Sequence, residues 1–120
     1  KDFFGKRKLY NWKKNEMLSE DIVDQIKKYI EYGAGEILIN DVSNEGTLSG
    51  FDFSMLEVIE KKINIPIIVN GGINSHEQIN QILQNDNIDA VGVGAFFIYY
   101  GPHRAVLISY IPEEERIIIK

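Results

Sequence analysis

Three polar, glycine-containing segments of the sequence carry residue types that can do chemistry. The first, residues 40–50, contains Asp41 and Glu45, two carboxylates suited to general acid–base work, among hydroxyls and glycines. The second is Asn-Gly-Gly-Ile-Asn-Ser over residues 70–75, and the third is Gly-Val-Gly-Ala-Phe over residues 92–96. Because glycine lets backbone N–H groups approach an anion closely, the second and third segments together predict a phosphate site.

Each segment also has a plainer interpretation. A Gly-Gly pair can simply form a turn and Gly94 can simply allow close packing, although the two loops together favour phosphate binding. For Asp41 and Glu45, the residues alone favour a solvated, turn-forming loop over acid–base chemistry. His76, in the first turn of a predicted helix, is expected to be exposed, and His103 is expected to be structural or at the surface.

The composition excludes several classes of protein. The 120 residues carry a net charge of −5 and contain no cysteine, which rules out a disulfide scaffold and thiolate metal sites. No His, Asp and Glu cluster has metal-ligand spacing, so we expect no metal and no cofactor. The acidic balance argues against a nucleic-acid partner. No apolar run approaches the ~20 residues of a membrane span and no secretory signal is seen, so we expect a soluble cytoplasmic domain.

The pattern of apolar residues predicts alternating helices and strands around the three segments. We predict strands over residues 37–39, 65–69 and 89–93, helices capped by Ser19, Asp52 and Ser75, and a last helix from Pro102 through Ile108. Ser75 and Gln78 have the spacing of a capping box. Uniformly apolar strands separated by helices are typical of parallel βαβ units, whose ligands gather at the carboxyl ends of the strands.

The predicted fold class is α/β, with one domain over residues 1–110. Periodicity alone leaves two architectures open, a part of a (β/α)₈ barrel and a part of a doubly wound sheet. Three parallel strands leave two open edges, and the chain is far shorter than the ~250 residues of a complete barrel, so we expect a piece of a longer protein. Residues 1–18, which are basic, predict a loop excursion rather than an RNA-binding surface, and residues 111–120 predict a tail without an assigned role.

Longer stretches of the sequence resemble the cyclase subunit of imidazole-glycerol-phosphate synthase. They are Gly-Ala-Gly-Glu-Ile-Leu-Ile-Asn over residues 33–40, Glu-Gly-Thr-Leu-Ser-Gly-Phe-Asp over residues 45–52, and Ile-Pro-Ile-Ile-Val-Asn-Gly-Gly over residues 65–72. The resemblance continues in unbroken order from about Phe3 to Tyr110. It implies the C-terminal half of a (β/α)₈ barrel, with strands six to eight and their flanking helices, and a loop excursion that follows a missing fifth strand.

The resemblance also implies an activity and its site. The family is a lyase of histidine biosynthesis that uses ammonia from a glutaminase partner to cleave and cyclise a phosphorylated small molecule, a ribulosyl aminoimidazole-carboxamide nucleotide. By motif match, the residues that bind a substrate phosphate are Asn70, Gly71, Gly72, Val93, Gly94 and Ala95. Glu36 matches a charged residue of the ammonia gate, and Asp52 matches the aspartate that opens the helix after the sixth strand. The two principal catalytic aspartates match no residue of this chain, so we expect the chain alone to be inactive, with Asp41 and Glu45 as auxiliary candidates.

The sequence departs from the family pattern around the predicted site. Ser43-Asn44-Glu45 stands where the family has Asp-Arg-Asp, and Asn70 and Ala95 each stand where a serine is usual. The run from Tyr99 to Tyr110 resembles a paralogous branch that channels ammonia to a sugar amidotransferase in surface-polysaccharide synthesis. That branch is one alternative function, and a non-catalytic phosphate-binding half barrel that pairs with itself is another.

Overall fold

A three-stranded parallel sheet organises the chain. The computed structural model describes residues 7–59 and 63–115. In chain order the elements are β1 (Tyr10–Asn11), β2 (Glu16–Met17), α1 (Ile22–Glu31), β3 (Ile37–Asn40), α2 (Ser54–Ile59), β4 (Ile67–Asn70), α3 (His76–Leu83), β5 (Ala90–Gly92), α4 (Ala95–Ile98), β6 (Tyr99–Tyr100), β7 (Ala105–Val106) and a 3₁₀ turn at Glu113–Glu115. Strands β3, β4 and β5 pair in that order and in parallel, which confirms the predicted parallel α/β arrangement.

The two faces of this sheet have different surroundings. Side chains alternate along a strand, and Ile67 and Val69 of β4 are buried in the hydrophobic core. The register aligns Leu38 with Ile68 and Ile68 with Ala90, so these three side chains form one row on the opposite face. Leu38 is 60% exposed there. One face of the sheet is therefore covered by helices, and the other presents an apolar row to the outside.

The core is built from the helix-covered face of the sheet and from apolar residues of the helices. Its buried members are Ile26, Phe51, Met55, Leu56, Ile67, Val69, Ile73, Ile79, Ile82 and Ile88. Burial of a side chain of this size stabilises the fold by about 1.5–3 kcal/mol before cavity effects. Asp89, which directly precedes β5, joins the amino ends of β4 and β5, because its carboxylate accepts a hydrogen bond from the N–H of Ile67 at 2.9 Å.

The start of α1 differs from the prediction, whereas its end follows it. Asp21, not Ser19, caps the helix, and its carboxylate accepts from the N–H groups of Val23 and Asp24. Asp21 directly precedes the first helical residue, so its side chain reaches these N–H groups. Ser19 lies two residues further from the helix and cannot cap it. At the other end, the glycines at positions 33 and 35 of the sequence predict that the helix stops there. Gly33 does end it, with a φ of 93° and an N–H that bonds the carbonyl of Ile30.

The predicted last helix is wrong. Residues 99–106 form an antiparallel hairpin in which β6 pairs with β7, and Pro102 lies in its turn. Gly101, with a φ of 71°, and Arg104, with a φ of 48°, begin and end that turn. The run that follows Arg104 is continuously apolar and rich in β-branched residues, which favours an extended strand over an amphipathic helix.

The amino-terminal segment also contains a hairpin. β1 and β2 pair antiparallel, and the N–H of Leu18 extends the pairing by bonding the carbonyl of Leu9 at 2.9 Å. The alternation of residue types from Leu9 to Trp12 predicts a short extended piece within the loop excursion, and this piece is present. The first six residues of the predicted excursion and the last five of the predicted tail lie outside the described residues. Within the part of the chain that the structure describes, no helix has the length and apolar character to cross a membrane.

Candidate functional site

A shallow pocket lies at the carboxyl end of the parallel sheet. About 200 Å³ of empty space, open solvent included, lies among and above its lining residues. Its lining comes from all three predicted polar segments. The lining residues are Glu45, Gly46 and Leu48 after β3, Asn70 at the end of β4 with Gly72 and Ile73 after it, and Gly92 at the end of β5 with Val93, Gly94 and Ala95 after it. Of the six residues expected to bind phosphate, five line this pocket, and Gly71 is not among the residues described as lining it.

Gly71 and Gly72 are required by the packing of one loop on another. A Cβ atom on Gly71 would lie 2.8 Å from the backbone oxygen of Asp41, and one on Gly72 would lie 2.5 Å from that of Gly50. Both residues also have a positive φ, of 119° and 80°, which side chains disfavour. The N–H of Gly50 bonds the carbonyl of Gly72 at 2.8 Å. These two glycines therefore bring the loop after β4 into main-chain contact with the loop after β3.

Gly94 has a different role from this pair. A Cβ atom there would find nothing within 4 Å, and the φ of Gly94 is −113°. The absence of a side chain at Gly94 is therefore not demanded by packing, and it leaves open space at the pocket wall. At Gly94 a ligand can therefore approach the main chain closely.

Asn70 and Gly92 form a close pair on the open face of the sheet. They are aligned in the register of β4 and β5. A Cβ atom on Gly92 would lie 3.2 Å from the Cβ and 3.3 Å from the Cγ of Asn70, so the amide of Asn70 occupies the space above Gly92. Both residues line the pocket. The side chain of Asn70 can thus present an amide donor to a ligand there.

Gln78 connects two of the pocket loops. The predicted capping of α3 by Ser75 is confirmed, since the Ser75 hydroxyl accepts from the N–H of Gln78 at 3.2 Å. The Gln78 side-chain oxygen, however, accepts from the N–H of Phe51 at 3.3 Å and of Asn74 at 3.2 Å. Asn74 in turn donates to the carbonyl of Leu48 at 3.2 Å. The side chain expected to complete a capping box instead fixes the loop after β3 against the start of α3.

Asp41 is engaged in an ion-pair cluster. Its carboxylate lies 3.4 Å from Nη1 of Arg7 and accepts from the side-chain amide of Asn44 at 3.1 Å. The Nη2 atom of Arg7 contacts the carboxylate of Asp52 and the hydroxyl of Ser54. The side chains of Arg7 and Asp41 are 13% and 10% exposed. Asp41 is not among the described lining residues of the pocket, so its carboxylate serves to hold loops together.

The other candidate residues separate into two groups by position. Glu45 is exposed and is the one acidic residue among the described lining residues of the pocket. Glu36 is exposed and directly precedes β3, so it lies at the opposite, amino end of the sheet. His76 begins α3 and its ring packs edge-on against Phe96 at 5.1 Å. His103 is exposed in the turn of the β6–β7 hairpin, as expected for a surface residue.

Two arginines that contact these loops were missed by sequence reasoning. Arg7 was grouped with the basic residues of the loop excursion, and Arg104 was noted only as part of a sequence run. Nη1 and Nη2 of Arg104 donate to the carbonyl oxygens of Gly46 and Thr47 at 3.2 and 3.0 Å. The residues that Arg7 and Arg104 contact are far from them in the sequence, so the spacing of residues along the chain did not indicate the contacts of either arginine. Over residues 7–59 and 63–115, no group of three or more acidic or histidine side chains could hold a metal ion.

Comparison with known proteins places this architecture in a family. A family model described as "Histidine biosynthesis protein" matches residues 2–104. The chain belongs to the histidine biosynthesis protein family. This confirms the family predicted from the sequence, and the (β/α)₈ barrel typical of the family agrees with the parallel sheet and intervening helices of this chain.

Individual members of the family are named as synthase subunits. The chain is 39% identical over 93 residues to the "Putative imidazole glycerol phosphate synthase subunit HisF" of Leptospira interrogans, covering 78% of this chain and 37% of that protein. It is 30% identical over 110 residues to the "Putative imidazole glycerol phosphate synthase subunit hisF2" of Pseudomonas aeruginosa, and the match covers 92% of this chain and 44% of that protein. It is 34% identical over 79 residues to the "Imidazole glycerol phosphate synthase subunit HisF" of Bacillus cereus, covering 66% and 31%. The chain therefore spans less than half the length of these relatives.

The Arg7 cluster leads to a test of how the loops are held. Replacing Arg7 by Met leaves the carboxylates of Asp41 and Asp52 close together without their shared cation, so we expect a loss of about 2–3 kcal/mol in the free energy of unfolding. Adding Asp41→Asn and Asp52→Asn to Arg7→Met should recover part of that loss, because the uncompensated charges are then gone. Urea unfolding of the full-length protein followed by circular dichroism measures both changes.

Lys13→Met is the matched control for this experiment. Lys13 is an exposed cation in the turn between β1 and β2, and we expect its replacement to change the free energy of unfolding by less than about 0.5 kcal/mol. A triple variant that is less stable than Arg7→Met alone would contradict the ion-pair cluster.

Proposed function

We propose that this chain is the C-terminal half of a (β/α)₈ barrel of the imidazole-glycerol-phosphate synthase cyclase type. The relatives are more than twice as long as the matched segment, which leaves room for the other half. Among the described strands, nothing pairs with the outer edges of β3 and β5. The apolar row of Leu38, Ile68 and Ala90 faces away from the helices, as the inward side of a barrel strand does.

The pocket is proposed as a subsite for one phosphate of a small-molecule substrate. The observation that carries this proposal is the meeting of three carboxyl-end loops in one pocket, with open space beside Gly94. Carboxyl-end loops are where barrel enzymes hold their ligands, and phosphate sites commonly use the last two of them. Glycines at this wall leave main-chain N–H groups accessible, and Asn70 adds a side-chain amide.

The proposed reaction is ammonia-dependent cleavage and cyclisation of a ribulosyl aminoimidazole-carboxamide nucleotide. A glutaminase subunit supplies the ammonia at the amino end of the barrel, where Glu36 acts in the gate. The ammonia then has to travel the length of the strands, about 13 Å for four residues. The apolar row of Leu38, Ile68 and Ala90 suits this passage, because an apolar lining disfavours conversion of ammonia to ammonium.

Within this proposal, Glu45 is an auxiliary acid–base group and Asp41 is a structural one. Glu45 lines the pocket, whereas the carboxylate of Asp41 is committed to Arg7 and Asn44. The principal catalytic carboxylates belong to the other half of the barrel, so we propose that the 120-residue chain alone does not turn over substrate. A cytoplasmic location suits this biosynthetic role.

A second candidate is the branch that delivers ammonia to a sugar amidotransferase in surface-polysaccharide synthesis. The observation that favours it is the contact of Arg104, from the Gly-Pro-His-Arg run, with Gly46 at the pocket. The run that distinguishes this branch is therefore in contact with the proposed ligand site. Asn70 and Ala95, where the family has serines, both line the same pocket and change its hydrogen-bonding groups.

Gly94→Val tests the phosphate subsite without disturbing the loop packing. Its side chain enters open space at the pocket wall, so we expect at least a tenfold weaker affinity for inorganic phosphate with little change in stability. Gly35→Val is the matched control, because a Cβ there also meets nothing within 4 Å and Gly35 lies before β3, at the other end of the sheet. Isothermal titration of the full-length protein measures the affinity, and equal affinity of both variants for phosphate would refute the subsite.

Turnover of the ribulosyl aminoimidazole-carboxamide substrate separates the two candidate functions. With the full-length protein and an ammonium salt in place of the glutaminase, we expect imidazole glycerol phosphate and an aminoimidazole-carboxamide ribotide as products. The substrate's ultraviolet absorbance follows the reaction. A folded protein that binds phosphate and gives no product would exclude the cyclase and favour the sugar-amidation branch.

Glu36→Gln tests the gate at the amino end. It removes a charge far from the pocket, so we expect the full-length complex to lose glutamine-dependent turnover while ammonium-dependent turnover is retained. Measuring the two rates side by side gives their ratio for the variant and the native protein. An equal loss of both rates would contradict a role in gating, since it would indicate damage to the reaction site itself.

A further inference from the structure

The β6–β7 hairpin connects two walls of the pocket. It follows directly from α4, whose first residue, Ala95, lines one wall. The guanidinium of Arg104, in the turn of the hairpin, donates to the carbonyl oxygens of Gly46 at 3.2 Å and Thr47 at 3.0 Å. Gly46 belongs to the lining of the pocket on the other side. The segment from Ala95 to Arg104 therefore starts at one wall of the pocket and contacts the opposite wall through the side chain of Arg104.

The backbone at Arg104 indicates that this side chain is placed with some strain. Its φ is 48°, in the left-handed region that residues with side chains adopt infrequently, and its N–H bonds the carbonyl of Gly101 at 3.1 Å. The hairpin behind it is fixed on α4, because Leu107 bonds the carbonyl of Ile98 and Ser109 bonds that of Phe97. Arg104 thus projects from a well-anchored turn toward its two carbonyl partners.

The carbonyls that Arg104 bonds belong to a tight, internally bonded turn. The Thr47 hydroxyl donates to the carbonyl of Asn44 at 2.7 Å and lies 2.7 Å from the Ser49 hydroxyl. Asn44 also donates to Asp41 in the Arg7 cluster. The loop after β3 is consequently anchored at its base by that cluster and at its tip by Arg104. Arginine can make both contacts at once, because its planar guanidinium carries two N–H donors side by side, which a lysine ammonium does not.

The charge of Arg104 bears on what this pocket binds. Glu45 is one of the described lining residues, and its negative charge disfavours an anion. The guanidinium of Arg104 is bonded to the two residues that follow Glu45, so it brings a positive charge to the same loop. Arg104 therefore bears on an anionic ligand by holding this loop and by adding a positive charge to it.

We propose that Arg104 is a positioning residue that holds Glu45, Gly46 and Thr47 against the pocket and thereby sets its affinity for phosphorylated ligands. This inference rests on the proposed phosphate subsite and adds to it a residue from outside the pocket lining. The guanidinium contacts the pocket loop rather than the ligand, and its removal changes none of the lining residues but lets the loop that carries Glu45 and Gly46 move away from the pocket.

Titration of the full-length protein with inorganic phosphate tests this role. We expect both Arg104→Ala and Arg104→Lys to weaken phosphate binding about tenfold, because lysine keeps the charge but cannot bond both carbonyls in a fixed geometry. Amide hydrogen exchange should become faster over residues 44–50 in both variants. Adding guanidinium ion at low millimolar concentration should restore part of the affinity of Arg104→Ala, and ammonium ion should not.

His103→Ala is the control, since His103 shares the turn and the described structure gives its side chain no hydrogen bond; it should leave both measurements unchanged. If the native protein binds phosphate and Arg104→Ala binds it equally well with unchanged exchange, the role of Arg104 is overturned and the subsite stands. If the native protein binds no phosphate, the subsite itself fails and the effect on affinity fails with it.

Discussion

The packing of two loops through their main chains is the constraint on which the rest of this site depends. The loop after β4 approaches the loop after β3 so closely that Gly71 and Gly72 have no room for a side chain. The parallel register of β3 and β4 carries both loops to the same end of the sheet, and the bond from Gly50 to Gly72 joins them. Without this contact, Glu45 and Asn70 would belong to separate loops instead of one pocket.

Side chains from outside the sheet then fix the loop after β3 at both ends. Arg7 reaches it from the segment before α1, and Arg104 reaches it from the hairpin after α4. Surface ion pairs contribute little on their own, but the Arg7 cluster is mostly buried and Arg104 donates to two carbonyls at once. A polar loop that would be mobile if isolated is thereby held as a wall of the pocket.

The sequence predicted the strands and the loops that follow them because both have local causes. Runs such as Ile37–Ile39 are apolar and β-branched, and Asn70-Gly71-Gly72 has an unmistakable turn composition. The failures have non-local or competing causes. Pro102 suits both the first position of a helix and a turn. The antiparallel pairing of β7 with β6 places it in a turn. The contacts of Arg104 join residues 57 and 58 positions apart, and no local pattern encodes them.

The pocket also shows how one position of the sheet depends on its neighbour on the next strand. Asn70 stands where the family resemblance predicts the shorter serine, and its side chain lies over Gly92 of the neighbouring strand, where a Cβ would be only 3.2 Å from it. A side chain at position 92 would therefore crowd Asn70, whereas Ile67 and Val69 are buried on the opposite, helix-covered face and are not among the described lining residues of the pocket. Since function resides in sites carried by a fold, Asn70, Ala95 and the Arg104 hairpin bear on the proposed ligand, whereas the packing of the core bears on the fold.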